Sequence, residues 1–200
     1  EVIVVNDGSG GATAEIADEL SRTYPHVRVI HHPKNRGYGG ALQTGFRSAT
    51  KELIFYTDGD AQYDVRELEK LLALMTDGVD MVNGYKISRS DPFYRSLLGT
   101  TYRVFTRFFF GIRLRDIDCD FRLMRRSIFD KVSLRSNSGT ICVEMVKKIE
   151  ASGFTIREVP VHHFYRSYGG SQYFTFRRLL RTIMDLSKLW YELFISQPPS

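Results

Sequence analysis

Two aspartates one residue apart, Asp58 and Asp60, have the spacing in this chain that best suits chemistry. They follow the apolar run 53–56, which predicts a buried strand. In an extended backbone, side chains two residues apart point to the same side, so both carboxylates can converge on one point. Carboxylate oxygens suit Mg2+ or Mn2+, which keep several waters and take further oxygens from phosphate. The pair therefore predicts a divalent cation that bridges the protein to the diphosphate of a nucleotide sugar.

Two other interpretations compete for this segment. Asp58-Gly59 is a common turn dipeptide, so the segment can be a solvated loop without a ligand. The acidic spacing also approaches that of an EF-hand. Tyr63 occupies the position where that loop needs glycine, and a strand leads in, so the EF-hand is rejected. The choice between a turn and a metal site depends on the rest of the chain.

Two polar segments precede the aspartate pair. Asp7 follows the apolar run 2–5, and a carboxylate there can bind a nucleobase or ribose, or can cap the turn into a helix. Residues 35–45 are rich in glycine and include Gly37. Glycine lets the backbone approach a phosphate or a ribose closely, although the spacing is not that of a dinucleotide-binding loop. Each segment alone is a weak indication of a nucleotide site.

Alternating strands and helices must position these side chains. Strands are predicted at 2–5, 27–30, 53–56 and 80–84, and helices at about 13–24, 39–50 and 65–75. The first helix would turn Ile16, Ala17 and Leu20 inward. This alternation predicts an α/β fold with a mostly parallel sheet flanked by helices. Ligands of such sheets bind at the carboxyl ends of the strands, where the aspartates lie.

The second half of the chain is aromatic and basic. Residues 92–114 and 173–195 are helical patterns in which Phe, Tyr and Trp alternate with Arg and Lys. Such helices can lie in a membrane interface, or they can pack on the sheet with their cations reaching solvent. No apolar run reaches the ~18 residues of a membrane span. The strand predicted at 155–161 contains Pro160, which places it at a sheet edge.

Composition narrows the class of protein. With 200 residues of which 42% are hydrophobic, one globular domain is expected. The two cysteines, Cys119 and Cys142, are too few for a disulfide scaffold. The net charge of +5 is concentrated between Lys86 and Arg126, a segment that suits phosphates, an anionic membrane or nucleic acid. The chain opens inside a strand without Met, and we expect the natural N-terminus to lie upstream.

Taken together, three motifs resemble those of the family 2 inverting glycosyltransferases of GT-A fold. They are NDGSGG at 6–11, NRGYGGALQTG at 35–45 and TDGDAQYD at 57–64, each at a strand-to-helix junction. Residues 118–126 resemble the Gly-Phe-Arg segment of the dolichyl- or polyprenyl-phosphate sugar synthases, as do 158–161 followed by Arg166. There are two departures: Asp120 stands where the family often has glycine, and the first strand of the family is absent.

The resemblance implies two domains and a role for each site residue. Residues 1–168 would form the catalytic domain, and 169–200 a C-terminal amphipathic helix at the membrane interface. Asp7 would bind the nucleobase or ribose, and Gly37 would line the nucleoside pocket. The metal, Mg2+ or Mn2+, would be surrounded by Asp58, Asp60 and Gln62. The phosphates of the donor or acceptor would be neutralised by Arg122, Arg95 and Arg166. Asp60 and Arg122 would carry the catalysis.

The implied activity is metal-dependent, inverting transfer of a sugar from a nucleotide-sugar donor to a polyprenyl phosphate. It would take place at the cytoplasmic face of a membrane, with no nucleic acid as partner. Two alternatives remain open. One is transfer to a saccharide hydroxyl, which needs a carboxylate base such as Asp118 or Asp120. The other is a non-enzymatic domain that binds nucleotides or nucleic acid through the basic segment.

Overall fold

The computed structural model of the chain describes residues 1–87, 93–165 and 176–196, without the side chains of 93–99, 103 and 176–179. The strands are β1 Val2–Asn6, β2 Val27–His31, β3 Leu53–Thr57, β4 Met81–Lys86, β5 Phe121–Arg125 and β6 Ile156–Val161. The helices are α1 Ala12–Thr23, α2 Tyr38–Ser48, α3 Leu68–Leu74, α4 Phe93–Phe110, α5 Ile128–Lys131, α6 Ile141–Ala151 and α7 Phe176–Phe194, with a 3-10 turn at Val65–Glu67. The predicted alternation of strands and helices is confirmed.

The strands form two groups. β1 and β2 pair in parallel, and the other four strands form a sheet in the order β3-β5-β4-β6. In the larger sheet β4 and β6 are parallel, and β5 alone runs antiparallel to β3 and β4. The carboxyl ends of β3 and β4 therefore share one edge with the amino end of β5. Loops from three strands meet at that edge.

The larger sheet is covered on both faces, which explains its continuous apolar strands. Met81 and Met124 pack into a cluster with Ile141 and Met145 of α6. Side chains one residue along the strands, such as Val82 and Leu123, belong to a second cluster that includes Leu71 of α3. Successive side chains of a strand point to opposite faces, so the two clusters lie on the two sides of the sheet.

The sequence predicted an edge position for the strand at 155–161 and a buried stripe for the first helix. β6 lies at the edge of its sheet, so the edge position predicted from Pro160 is confirmed. The inward stripe predicted for α1 is wrong for two of its residues, because only Ala17 is buried while Ile16 is 56% and Leu20 40% exposed. Helix α1 packs on β1 and β2, and Ile16 and Leu20 lie outside the part of its surface that this packing buries.

Helix α7 packs against the rest of the protein along one side. Leu186 and Leu189 are buried in the larger cluster, and Nε1 of Trp190 donates a hydrogen bond to the backbone carbonyl of Phe109, 3.0 Å away. Among the described residues, no helix has the length and apolar character needed to cross a membrane. The helix is therefore amphipathic, with one side in the core and the other exposed.

Candidate active site

Five aspartates lie in the loops at the edge shared by β3, β4 and β5. Asp58 and Asp60 follow β3, and Asp116, Asp118 and Asp120 precede β5. The antiparallel direction of β5 brings its preceding loop to the edge where the β3 loop ends. The direction of β5 is set by its pairing with β3 and β4 and is not deducible from the sequence of the strand. The structure thus adds three carboxylates to the predicted pair.

The carboxylates at this edge repel one another. Burial, followed by the neighbouring charges of Asp120 and Asp60, raises the pKa of Asp58 to about 7. Burial and the charge of Asp116 likewise raise the pKa of Asp118 to about 7. Buried carboxylates that lie close together favour the protonated form, because ionising all of them would place unbalanced negative charge at this edge. A bound cation would relieve this repulsion.

Lys86 is the first of two cations within this acidic group, and the sequence analysis did not identify it. Its Nζ donates a hydrogen bond to the backbone carbonyl of Asp118, 2.8 Å away. Burial alone would lower the pKa of Lys86, but Asp116 and Asp120 outweigh this effect and raise it. Its position at the end of an apolar strand was the signal available in the sequence.

Arg122 is the second cation, and it lies beneath the loop instead of on its surface. The side chain is fully buried, with Nε donating to the backbone carbonyl of Cys119 at 3.0 Å and Nη2 donating to that of Ile117. Nη1 is buried without a hydrogen-bond partner among the described residues. In this position Arg122 holds the acidic loop from below, and its predicted contact with a phosphate remains a prediction.

The residues available for a divalent cation fit the requirements of Mg2+ or Mn2+. Asp58 and Asp60 supply hard oxygen donors in a region of excess negative charge. In the described part of the chain, no three His, Cys, Asp or Glu side chains are arranged to hold a metal by themselves. Proteins usually bind Mg2+ through one or two carboxylates, and phosphate and water occupy its remaining coordination positions.

Gln62, the third predicted metal ligand, is fixed to another segment of the chain. The side-chain Nε2 of Gln62 donates to the backbone carbonyl of Phe164 at 3.0 Å. The backbone carbonyl of Gln62 accepts from the backbone amide of Phe164 at 2.8 Å. The Asp60 carboxylate accepts a hydrogen bond from the backbone amide of Gln62 at 3.1 Å, and this bond closes the turn between the two residues. Gln62 therefore ties the aspartate loop to the segment that follows β6.

Asp7 organises the glycine-rich loop. Its Oδ1 accepts from the Arg36 amide and its Oδ2 from the Gly37 amide, both at 2.8 Å. Oδ1 also lies 2.7 Å from Nδ1 of His32. Burial alone would raise the pKa of Asp7, and these hydrogen bonds outweigh it and lower the pKa. Asp7 therefore holds the loop before α2 and does not cap α1, whose N-cap is Gly11, and the nucleobase contact remains a prediction.

The glycines of this loop are required by a neighbouring segment of the same chain. Gly37 has a φ of +84°, and a Cβ added there would lie 2.4 Å from the carbonyl oxygen of Asn137. A Cβ on Gly39 would lie 2.1 Å from the carbonyl oxygen of Ser136. The close backbone approach predicted for a ligand is therefore made by residues 136–137, and the nucleoside contact of Gly37 remains a prediction.

Glu144, a buried carboxylate on α6, holds that neighbouring segment in place. It accepts hydrogen bonds from the backbone amides of Arg135 at 2.9 Å and Ser136 at 2.8 Å. Nζ of Lys148 lies 2.6 Å from Oε1 of the same carboxylate. Burial alone would raise the pKa of Glu144, and the bonds from Lys148 and Ser136 outweigh it and lower the pKa. The sequence analysis did not identify Glu144, because its partners are backbone amides of another segment.

The side chains of two arginines predicted to bind phosphate, Arg95 and Arg166, are not among those that the structure describes. Arg95 lies on α4, where the structure gives the backbone without that side chain, and Arg166 lies outside the described residues. The described chain before Arg166 ends at Tyr165, next to the residue that bonds Gln62. Both phosphate roles remain predictions.

Comparison with known proteins identifies a family and a group of relatives. The family profile described as "Glycosyl transferase family 2" matches residues 1–133. Undecaprenyl-phosphate 4-deoxy-4-formamido-L-arabinose transferase of Salmonella paratyphi B is 29% identical over 187 residues, which are 93% of this chain and 56% of that protein. The protein of the same name from Salmonella newport matches equally. The chain thus spans about half the length of these curated relatives.

Solved structures share the fold. Glucosyl-3-phosphoglycerate synthase of Mycobacterium tuberculosis in complex with UDP has a TM-score of 0.67 at 15% identity, covering 99% of this chain and 70% of that one. The same enzyme with Mn2+ and UDP-glucose also has a TM-score of 0.67 at 15% identity, covering 99% and 69%. Mannosyl-3-phosphoglycerate synthase of Rubrobacter xylanophilus has a TM-score of 0.64 at 16% identity, covering 100% and 66%. The GT-A-like α/β fold is confirmed, and by the match of its first 133 residues the chain belongs to glycosyl transferase family 2.

Proposed function

We propose that the protein transfers a sugar from a nucleoside diphosphate to a polyprenyl phosphate, with inversion at the anomeric carbon. The observation that carries the proposal is the acidic edge, where burial and neighbouring carboxylates raise the pKa of Asp58 to about 7. Such a site suits a divalent cation paired with a diphosphate. Family membership supports sugar transfer, and the names of the curated relatives support the polyprenyl phosphate acceptor.

Asp58 and Asp60 would hold Mg2+ or Mn2+ together with the diphosphate. When bound, the cation would neutralise charge on the departing diphosphate oxygens. The residues of the chain prepare this site. Asp58 must lose its proton before it can bind a cation, and Lys86 supplies positive charge beside the acidic loop. The hydrogen bonds between Gln62 and Phe164 fix the aspartate loop in one position.

The acceptor decides whether a base is needed. A lipid phosphate oxygen is already ionised near neutral pH, so transfer to it would require no strong base. A saccharide hydroxyl would require one, and a pKa of about 7 makes Asp118 suitable for accepting that proton. Transfer to a saccharide is therefore the second candidate.

A membrane position is proposed from two exposed apolar faces. On α4, Phe108 is 80% exposed, and Val104 and Phe109 are exposed beside it. Along α7 and directly after it, the exposed apolar side chains include Leu180, Ile183, Met184, Trp190, Tyr191, Phe194 and Ile195. Basic residues Arg107, Arg181 and Lys188 lie among them and suit anionic headgroups. We propose that these faces lie in the cytoplasmic leaflet, where the enzyme would meet a lipid-linked acceptor.

The domain division is carried forward as part of the proposal. Residues 1–168 would form the catalytic domain, and the amphipathic segment 169–200 would form the membrane-facing helix.

Binding and transfer measurements on the natural full-length protein test the proposal. Calorimetry with UDP- and GDP-sugars, with and without Mn2+, should show binding that depends on the metal. Asp60→Asn should abolish it, and Asp77→Asn, at an exposed loop position, should not. Undecaprenyl phosphate and a saccharide are then offered as acceptors. Transfer only to the saccharide would refute the lipid acceptor, and failure of every nucleotide to bind would refute sugar transfer.

A further inference from the structure

We propose that Asp120 accepts a hydrogen bond from a hydroxyl group of the donor sugar and that Tyr38 is the residue that positions it. This assignment rests on the proposed sugar transfer and adds a sugar-recognition group to that site.

The Asp120 carboxylate is fixed through one of its two oxygens. The Tyr38 hydroxyl donates to Oδ1 at 2.6 Å, and the Cys142 thiol is directed at the same oxygen from 3.9 Å. Neither contact involves Oδ2, and the described residues provide no other hydrogen bond to it. A carboxylate held by one oxygen presents the other as an acceptor of fixed direction.

Tyr38 is itself held on both sides. The preceding amide, that of Gly37, donates to Asp7, and the following amide, that of Gly39, donates to the carbonyl of Asn137 at 3.0 Å. Tyr38 is also the first residue of α2, so its backbone is fixed by the helix. A phenol on such a backbone has few ways to move, which makes it suitable for positioning a neighbouring carboxylate.

The place of Asp120 brings it within reach of a donor sugar. Asp120 is close enough to Asp58 that its charge contributes to the raised pKa of that side chain. If Asp58 holds the cation that binds the diphosphate, the sugar attached to that diphosphate lies beside the same carboxylates. Sugar hydroxyls donate well to carboxylates, and this acidic surrounding disfavours donors that carry a carboxyl group of their own.

Calorimetry with paired ligands tests the assignment on the full-length protein. UDP and UDP-glucose, and GDP and GDP-mannose, are titrated in the presence of Mn2+ into the wild type, Asp120→Asn, Tyr38→Phe and the double variant. Asp120→Asn should weaken binding of the preferred nucleotide sugar about tenfold relative to its nucleoside diphosphate, a ratio from which any effect of the substitution on Asp58 and the metal cancels. Tyr38→Phe should weaken the nucleotide sugar about threefold by the same ratio, which also removes the effect of the hydrogen bond from the Tyr38 hydroxyl to Asp58, and the double variant should match Asp120→Asn in this ratio. Tyr24→Phe and Asp77→Asn, both at exposed positions, serve as matched controls.

Each contrary result has a separate meaning. Equal losses for the nucleotide and its sugar conjugate would assign Asp120 to the diphosphate or metal and overturn the sugar contact. Unchanged binding with a lower kcat would assign it to proton transfer and overturn the proposal equally. Additive effects of the two substitutions would overturn the positioning role of Tyr38. If no nucleotide bound the wild type, the proposed function itself would fail. Circular dichroism melting of each variant verifies that it folds.

Discussion

Lys86 at the end of β4 donates a hydrogen bond from Nζ to the backbone carbonyl of Asp118, 2.8 Å away. This bond places a cation among carboxylates whose burial and mutual repulsion raise the pKa of Asp118 and Asp58. The lysine also links β4 to the loop before β5. One side chain therefore contributes both to the charge of the acidic edge and to the position of its loop.

We predict that Lys86→Met weakens binding of a nucleoside diphosphate about tenfold, or ~1.4 kcal/mol. Methionine keeps the length and apolar stem of lysine and removes its charge and its hydrogen bond. Calorimetry in the presence of Mn2+ measures the loss. Lys51→Met, at an exposed position, removes the same charge from the surface and should leave the affinity unchanged. Equal affinity of the two variants would contradict the assigned role of Lys86.

The raised pKa of Asp58 predicts that Mn2+ binding depends on pH. Because a cation and a proton compete for this carboxylate, affinity should rise about tenfold per pH unit up to about pH 7 and then level off. Calorimetry between pH 5.5 and 8 gives the slope. Asp77→Asn, away from the site, should keep the same slope. A flat profile below pH 7 would show that Asp58 is already ionised there and would contradict the burial argument.

The same carboxylate predicts how stability changes with pH in the absence of metal. The pKa of Asp58 is raised from 3.8 to about 7, so the folded protein binds the proton more tightly than the unfolded chain. Its contribution to stability is present at low pH and is lost as the pH rises from about 4 to about 7. This difference in pKa corresponds to about 4 kcal/mol, so we expect a fall in melting temperature on the order of 10 °C over this range, reversed by Mn2+. Thermal melts with and without the cation check this, and a rise in melting temperature would contradict it.

Gly39 supplies a prediction about the glycine-rich loop. A Cβ there would lie 2.1 Å from the carbonyl oxygen of Ser136, and backbone atoms cannot yield as a flexible side chain can. Gly39→Ala should therefore lower the free energy of unfolding by about 1–3 kcal/mol, measured by urea denaturation. Gly10→Ala is the matched control, because nothing lies within 4 Å of the added atom. If both variants were equally stable, the packing of residues 136–137 on this helix would be refuted.

The sequence made some of these features predictable and not others, according to how local they are. The place of Asp58 and Asp60 directly after a strand follows from the apolar run that precedes them, and their convergence on one cation remains a prediction. Tyr38 and Asp120 are 82 residues apart and meet only because β5 runs antiparallel, which no local pattern reveals. Arg122 was expected at the ligand because Arg suits phosphates, but its place in a covered strand buries it.

Local sequence patterns also predicted incompletely which faces of the helices are exposed. Ile16 and Leu20 have the spacing of a buried stripe, yet burial depends on whether a neighbouring element covers it. The aromatic residues of α4 divide in the same way. Phe110 is buried in the core, and Phe108, two residues earlier, is 80% exposed. Periodicity predicts that such helices are amphipathic, and the packing determines which face remains open.

The exposed face of α4 provides the prediction that tests membrane binding most directly. The ring of Phe109 lies 4.5 Å from that of Phe105 and 5.2 Å from that of Phe108, so the three form one aromatic surface. Phe108→Glu places a negative charge on this surface. It should reduce binding to vesicles of phosphatidylcholine and phosphatidylglycerol about tenfold, because a buried carboxylate is costly and also repels anionic headgroups.

The fold should tolerate this substitution, because the Phe108 side chain is largely in solvent and surface changes usually alter stability by less than about 0.5 kcal/mol. Val65→Glu is the control, since Val65 is 60% exposed on the 3-10 turn and belongs to neither α4 nor α7. Sedimentation with vesicles should separate the two variants. Equal sedimentation of both with the wild type would favour the alternative in which the aromatic helices pack on the protein and their cations simply reach solvent.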